Sequence, residues 1–199
     1  MPARLPRCLK VYLAGPDVFL PDAIAIGQRK KELCARYGFE GLFPFDNEIK
    51  PDASGAPIDG LIYRANIAMI RASDLGILNL TPFRGPSADA GTVFELGVLV
   101  GLGKRVFAYT GDTADLLARV RRCGSASFDD SAGCWRDEAG MAIEAFGNAD
   151  NLMIDNALAE QGHAIVRHDA FPQERFRDLT GFEACLRLAA AAMGPAAAG

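Results

Sequence analysis

The sequence predicts an α/β protein built on a mostly parallel five-stranded sheet with helices on both faces, and three observations lead there. Short apolar runs alternate with stretches of ten or more residues of helical periodicity, as strands joined by crossover helices do. The runs at 9–14, 39–43, 75–80 and 105–109 are apolar through much of their length rather than strictly alternating, which suits strands covered on both faces. Gly and Pro break the chain where the runs end, at Gly15-Pro16 and at Pro44, marking loops at strand ends.

The elements follow in order. Residues 9–14 form a first strand. Residues 22–37 turn helical, with Ile24, Gln28, Lys31 and Ala35 dividing an apolar from a basic face. A second strand at 39–43 is stopped by Pro44, and the Asp, Asn, Pro, Ser and Gly of 46–57 make a loop. A helix spans 58–72, with Ile62, Ala65, Met69 and Ile70 on or near one face. The third strand, 75–80, leads through a loop into a helix from Thr92 to about Leu102, and Gly103-Lys104 ends it before a strand at 105–109. Residues 111–150 are less regular: a short helix at 113–122, then a Gly/Ser/Asp-rich segment at 124–133, expected to be mobile in part. This stretch reads as an insertion on the ligand side of one domain spanning 1–199. A helix at 151–161, a last strand at 163–166 and a closing helix at 181–192 complete the fold, with a frayed Ala-rich tail from about 194.

Composition narrows the function. A net charge of −4 supplies no basic footprint for nucleic acid. No run has the apolar length of a membrane span, and the N-terminus lacks the apolar core of a signal peptide. Five scattered cysteines without CxxC spacing read as reduced thiols of a cytoplasmic protein. With two histidines and no ligand cluster, no metal site is expected.

The most informative stretch is 84–97, a polar loop carrying Asp89 that enters an apolar helix holding Glu95. Two carboxylates at the carboxyl end of a strand occupy the place where open α/β sheets put their chemistry. The positive end of the helix favours an ionised Glu95, which makes it a candidate nucleophile with Asp89 as its partner. A plainer reading stands beside this one: Thr92-Val-Phe-Glu95 matches a capping box, with Thr92 capping the helix and Glu95 reaching back. Residues 97–104 are not a phosphate loop, since Arg105 stands where Ser or Thr is required and the segment runs from helix into strand. Gly15 lacks the second and third glycines of a dinucleotide fingerprint, so no cofactor is expected. Tyr12 near the end of the first strand, Asp17 just beyond it, and Asp46-Asn47-Glu48 after the second each suit packing or turn chemistry alone. Their common location at strand ends is the stronger signal.

Tyr12-Leu-Ala-Gly-Pro16, Pro44-Phe-Asp-Asn47, Asp74, Asp89-Ala-Gly-Thr-Val-Phe-Glu-Leu-Gly97 and Asn151-Leu-Met153 together resemble the nucleoside 2-deoxyribosyltransferases. The likeness runs in the same order from about residue 9 to 160, and Asp-x-Gly-x-x-x-Glu-x-Gly is its most specific element. The resemblance implies a flavodoxin-like fold and ping-pong transfer of a 2-deoxyribosyl group between free nucleobases and deoxynucleosides, in nucleoside salvage and without a cofactor. It puts the nucleophile on Glu95, the proton-exchanging acid on Asp89 and the group orienting the nucleophile on Tyr12. With the strand-end residues, the candidate substrate contacts are Asp17, Asp46, Asn47, Glu48, Asn66, Arg84 and Gly91. The resemblance also implies a homo-oligomer, dimer-based or hexameric, with shared active sites, Asn151 and its neighbour Met153 serving an adjoining subunit. The chain departs from the best-known bacterial members at Asn66, where they carry Asp, at Glu48, where some use an amide, and at its C-terminus, where they end in Tyr. Two other readings stay open: a hydrolase of deoxynucleoside 5′-monophosphates, with Arg84-Gly-Pro-Ser87 offering a phosphate pocket, and a non-catalytic nucleotide-binding domain in which Glu95 is only a cap.

Overall fold

In the computed structural model, residues 7–47, 55 and 57–193 are described. Glu48 and the tail from 194 lie outside them. Strands β1 (Leu9–Ala14), β2 (Phe39–Leu42), β3 (Leu75–Asn79) and β4 (Arg105–Thr110) alternate with helices α1 (Ala23–Arg36), α2 (Ile58–Ala72) and α3 (Ala90–Gly101). Beyond them come α4 (Leu116–Cys123), the short strands β5 (Ala126–Asp129), β6 (Cys134–Asp137) and β7 (Ala142–Ile143), then α5 (Leu152–Ala159), β8 (Val166–Arg167) and α6 (Thr180–Met193). The main sheet has the order β2-β1-β3-β4-β8, and every neighbouring pair is parallel. This is the flavodoxin-like order, whose switch point lies between β1 and β3.

Period-two alternation along β1 builds two cores. Val11 and Leu13 face α1 and α6, where they join Ile26, Leu33, Phe182 and Leu186. Tyr12 and Ala14 face the opposite layer of α2, α3 and α5, among Ile70, Leu96, Leu99 and Leu158. β3 is buried at all five positions, as a central strand covered on both faces must be.

The buried stripe of α1 departs from the sequence reading. It is Ala23, Ile26, Gly27, Lys30, Leu33 and Cys34, while Ile24 is exposed. A lysine on a buried stripe needs a counter-charge. Asp17, in the 3₁₀ turn after β1 (Pro16–Phe19), supplies it: Lys30 Nζ donates to Oδ2 at 2.6 Å, and both side chains are essentially inaccessible. Asn79 at the end of β3 donates to the other Asp17 oxygen at 3.2 Å. The pair therefore ties the turn after β1 to α1 and β3 at once.

Residues 124–143 fold into a three-stranded antiparallel sheet, β5-β6-β7, where the sequence reading expected irregular chain. Asp129 organises the β5–β6 turn by accepting from the amides of Ser131 and Ala132, and Gly133 at φ 63° takes the left-handed position. The last strand of the main sheet is shorter and later than expected, two residues at Val166–Arg167.

Lys30→Met is expected to cost about 3–5 kcal/mol by stranding the buried Asp17 carboxylate, read as a lower urea midpoint. Adding Asp17→Asn, which removes the stranded charge and keeps an acceptor for Asn79, is expected to return most of that loss.

Candidate active site

At the carboxyl edge of β1 and β3 the chain leaves a cleft of about 560 Å³. Gly15, Val18 and Phe19 line it after β1, and Pro44, Phe45 and Asn47 after β2. Ile58, Ile62 and Asn66 come from α2, and Asp89, Gly91, Thr92 and Glu95 from the start of α3. Gly15 sits at φ 157°, and a Cβ there would come within 2.6 Å of the Asn79 Cβ. A bare backbone at this point keeps the turn close against β3.

Asp89 caps α3. Its Oδ2 accepts from the Thr92 amide at 2.9 Å and from Thr92 Oγ1 at 3.0 Å. The capping box expected at Thr92 is therefore displaced: Asp is among the best caps, and with Asp89 in that role the helix begins two residues early. Thr92 becomes a buried third position and Glu95 moves into the second turn, on the same inward side as Thr92, Leu96 and Leu99. Glu95 is not a cap.

Pointing inward, Glu95 meets Tyr12. The Tyr12 hydroxyl, fully buried at the heart of β1, donates to Glu95 Oε1 at 2.6 Å, and Asn66 Nδ2 lies 3.4 Å from the same oxygen. Burial pushes the Glu95 carboxyl up to about 7; the Tyr12 and Asn66 hydrogen bonds oppose the shift, and the charge of Asp89 adds to it. The expected helix-end field does not prevail, because it fades beyond the first turn. Burial and the Glu95 carboxylate both raise the Tyr12 pKa, so Tyr12 remains a proton donor at working pH. Asn66 Oδ1 is buried without a hydrogen-bond partner among the described residues.

Comparison with known proteins places this arrangement. The profile of a family described as nucleoside 2-deoxyribosyltransferase matches residues 11–153, a span that contains Tyr12, Asn66, Asp89 and Glu95. The chain belongs to the nucleoside 2-deoxyribosyltransferase family. A 2-deoxyribosyltransferase from Leishmania mexicana is 33% identical and superposes with a TM-score of 0.58, over 84% of this chain and 94% of that one. An uncharacterized protein of Schizosaccharomyces pombe is 31% identical over 179 residues, 84% of each chain. A conserved protein of Enterococcus faecalis V583, 19% identical, shares the fold with a TM-score of 0.51 over 92% of this chain and 99% of that one.

Within this family fold, the residues read from the sequence divide into two groups. Tyr12, Asn66, Asp89 and Glu95 converge as described, and Asn47 and Gly91 line the same cleft. Asp17 does not reach it, since Lys30 and Asn79 occupy its oxygens beneath the floor. Asp46 is also taken up locally, accepting from its own turn's Phe43 amide at 2.9 Å and pairing with Lys31. Arg84, at φ 55°, lies outside the lining, its guanidinium 4.6 Å from the Phe83 ring centroid and 5.4 Å from that of Phe19. Asn151 caps α5, accepting from the Met153 amide at 3.0 Å and donating to Glu144 at 2.6 Å. Neither Asn151 nor the exposed Met153 lines the cleft of its own chain.

Sequence reasoning missed the apolar rim of Phe19, Ile58 and Ile62. The two isoleucines look like ordinary helix-face residues, yet they are half-exposed over the cleft. Phe45 lines the cleft as well, and Phe83 stacks behind Phe19 with ring centroids 5.1 Å apart. Residues 111–150 supply none of the lining. Among the described residues no group of three His, Cys, Asp or Glu could hold a metal, and no helix is long and apolar enough to cross a membrane.

The raised Glu95 pKa has a stability consequence of definite sign. The folded protein binds a proton that the unfolded chain has released, so this contribution is complete below about pH 4.5 and is lost as pH rises through about 7. Glu95→Gln, neutral throughout, is expected to be more stable than the parent at pH 8. The gain should be about 2–3 kcal/mol, from ~1.4 kcal/mol per pKa unit less an allowance for partial exposure. At pH 4 it should vanish, and urea unfolding at the two pH values measures the difference.

Proposed function

We propose that this protein transfers a 2-deoxyribosyl group between the nucleobases of free deoxynucleosides, by a ping-pong route through a covalent Glu95–deoxyribosyl intermediate, in nucleoside salvage. The observation that carries the reading is that Glu95, which lines the cleft beside Asp89, accepts at 2.6 Å from the Tyr12 hydroxyl buried behind it. In the first half-reaction Glu95 attacks the anomeric carbon and the bond to the base breaks. The departing base takes a proton from Asp89. In the second, an incoming base returns a proton to Asp89 and displaces Glu95, so two inversions give retention. Tyr12 and Asn66 both address Oε1, which orients the carboxylate and leaves Oε2 to attack.

The lining suits this substrate. A cleft of about 560 Å³ is of the size that takes small ligands, and Phe19, Phe45, Ile58 and Ile62 offer apolar surface to a flat base. Among its described lining residues are two carboxylates and no Lys or Arg, which favours an uncharged nucleoside over its 5′-monophosphate. Arg84, the cation the hydrolase reading relied on, sits outside. The chain acts as a single domain in the cytoplasm, a placement in keeping with five free cysteines. As a homo-oligomer it presents Asn151 and Met153 to a neighbouring subunit, a reading supported by their absence from their own cleft.

Incubating thymidine with adenine is expected to yield 2′-deoxyadenosine and thymine. Without adenine, release of thymine should be slower by about tenfold or more, thymidine 5′-monophosphate should be a poor donor, and Glu95→Gln should abolish exchange. Equal sugar release with and without the acceptor base would defeat the transferase reading.

Activity is expected to fall as pH drops through about 7, where the buried Glu95 takes up its proton. Tyr12→Phe removes a hydrogen bond that lowers that pKa, so the acidic limb of the kcat profile should move to higher pH. The maximal rate should fall about 10–100-fold, the worth of one hydrogen bond to a charged group.

A further inference from the structure

The loop that delivers Asp89 closes on itself through the Phe83 amide, which donates to the Ser87 carbonyl at 3.0 Å, and it is also held from a distant segment. Ser87 Oγ donates to Asp150 Oδ1 at 2.7 Å, and the Ala88 amide donates to Asp150 Oδ2 at 2.9 Å. The same carboxylate accepts from the Asn151 amide at 2.8 Å and faces Arg119 Nη2 at 3.3 Å. Arg119 comes from α4 and its Nη2 also donates to the Ala149 carbonyl, while Asp155 accepts from the amides of Ala149 and Asp150, both at 2.8 Å. Asp150 thus grips the residue before one helix cap, Asp89 of α3, and the residue that is the other, Asn151 of α5.

Energetics argue that this cluster sets position rather than merely adding stability. The Arg119 and Asp150 side chains are each only 2% exposed, and a buried ion pair loses in desolvation much of what it gains in attraction. Arg119 Nε and Nη1 are buried with no partner among the described residues, which adds to the cost. An apolar filling would be at least as stable but would supply no directed acceptors. The Asp150 oxygens aim at two loop donors that belong to a segment more than sixty residues away.

The geometry points to Asp150, oriented by Arg119, as a positioning residue: it clasps the Asp89 loop to the start of α5, so that the Asp89 carboxylate and Asn151 are set in place together. As a statement about catalysis this rests on the deoxyribosyl-transfer reading. As a statement about the loop it stands on the hydrogen bonds alone. A shift of about an ångström at the Asp89 cap would carry α3 and Glu95 with it, and misplacement on that scale costs up to ~10²-fold in rate.

The test combines amide hydrogen exchange with steady-state base exchange, on Asp150→Asn, Ser87→Ala and Ser87→Thr, each at a temperature where circular dichroism shows it folded. Asp150→Asn is expected to speed exchange in residues 84–92 and 149–153 together. It should lower kcat about 10–100-fold while KM changes less than about threefold, the mark of lost positioning rather than lost binding. Ser87→Ala should act in the same direction to a smaller extent, and Ser87→Thr, which keeps the hydroxyl, should recover kcat. If Asp150→Asn does not fold, the two Ser87 variants carry the comparison. Faster exchange in only one of the segments, or unchanged kcat in every folded variant lacking a clasp donor or acceptor, would overturn the inference. Absence of base exchange in the parent protein would count against the transferase reading, and the paired exchange behaviour would still decide the clasp.

Discussion

A carboxylate that faces the sheet has to be satisfied from inside the protein, and the hydrogen bond from Tyr12 to Glu95 is how this fold does it. Glu95 lies on the inward side of α3 in line with Thr92 and Leu99, where an unpartnered charge would cost several kcal/mol. Tyr12 meets it because β1 alternates, sending its second and fourth buried positions to the α2–α3 layer while Val11 and Leu13 fill the other. The bond therefore depends on strand period, on sheet order and on the residue at which α3 begins. A one-residue slip in β1 would turn Tyr12 into the opposite core.

Much of this was legible. Predominantly apolar runs identified the central strands because parallel strands between two helical layers have no wet face, and the clustering of polar residues at strand ends located the cleft. The start of α3 was not legible, since Asp89…Thr92 and Thr92…Glu95 both carry cap spacing, and choosing between them takes the packing of Glu95 against Tyr12. The ion pairs of Asp17 and Asp46 were not legible for a related reason. An acidic residue after a strand looks the same whether it meets a substrate or a lysine, and Lys30 reveals its role only once the inward stripe of α1 is known. The small antiparallel sheet escaped notice because its strands are two to four residues long, too short for periodicity to speak.

Three buried polar groups now stand in distinct relations to the cleft. The Lys30–Asp17 pair lies beneath the turn after β1 and holds the floor. The Arg119–Asp150 pair lies behind the Asp89 loop and holds one wall. Glu95 itself lies within, with its pKa lifted and its partners few. In the first two every carboxylate oxygen meets a donor or an opposite charge; the third is left with Oε2 unassigned, and there the protein gives up stability for reactivity.

The cleft is made of two kinds of material. Tyr12 belongs to a strand flanked on both sides by others, among the last parts of such a sheet to open in native fluctuations. Phe19, Phe45 and Ile58 sit half-exposed on turns and at a helix start, where local opening is cheap. On the proposed reading, recognition of the base is mechanically separable from bond-making: a changed rim can be sampled by mutation without reaching the strand that carries Tyr12. For redesign of substrate range, this makes residues 18–19, 44–47 and 58–62 the places to vary and β1 the place to leave alone.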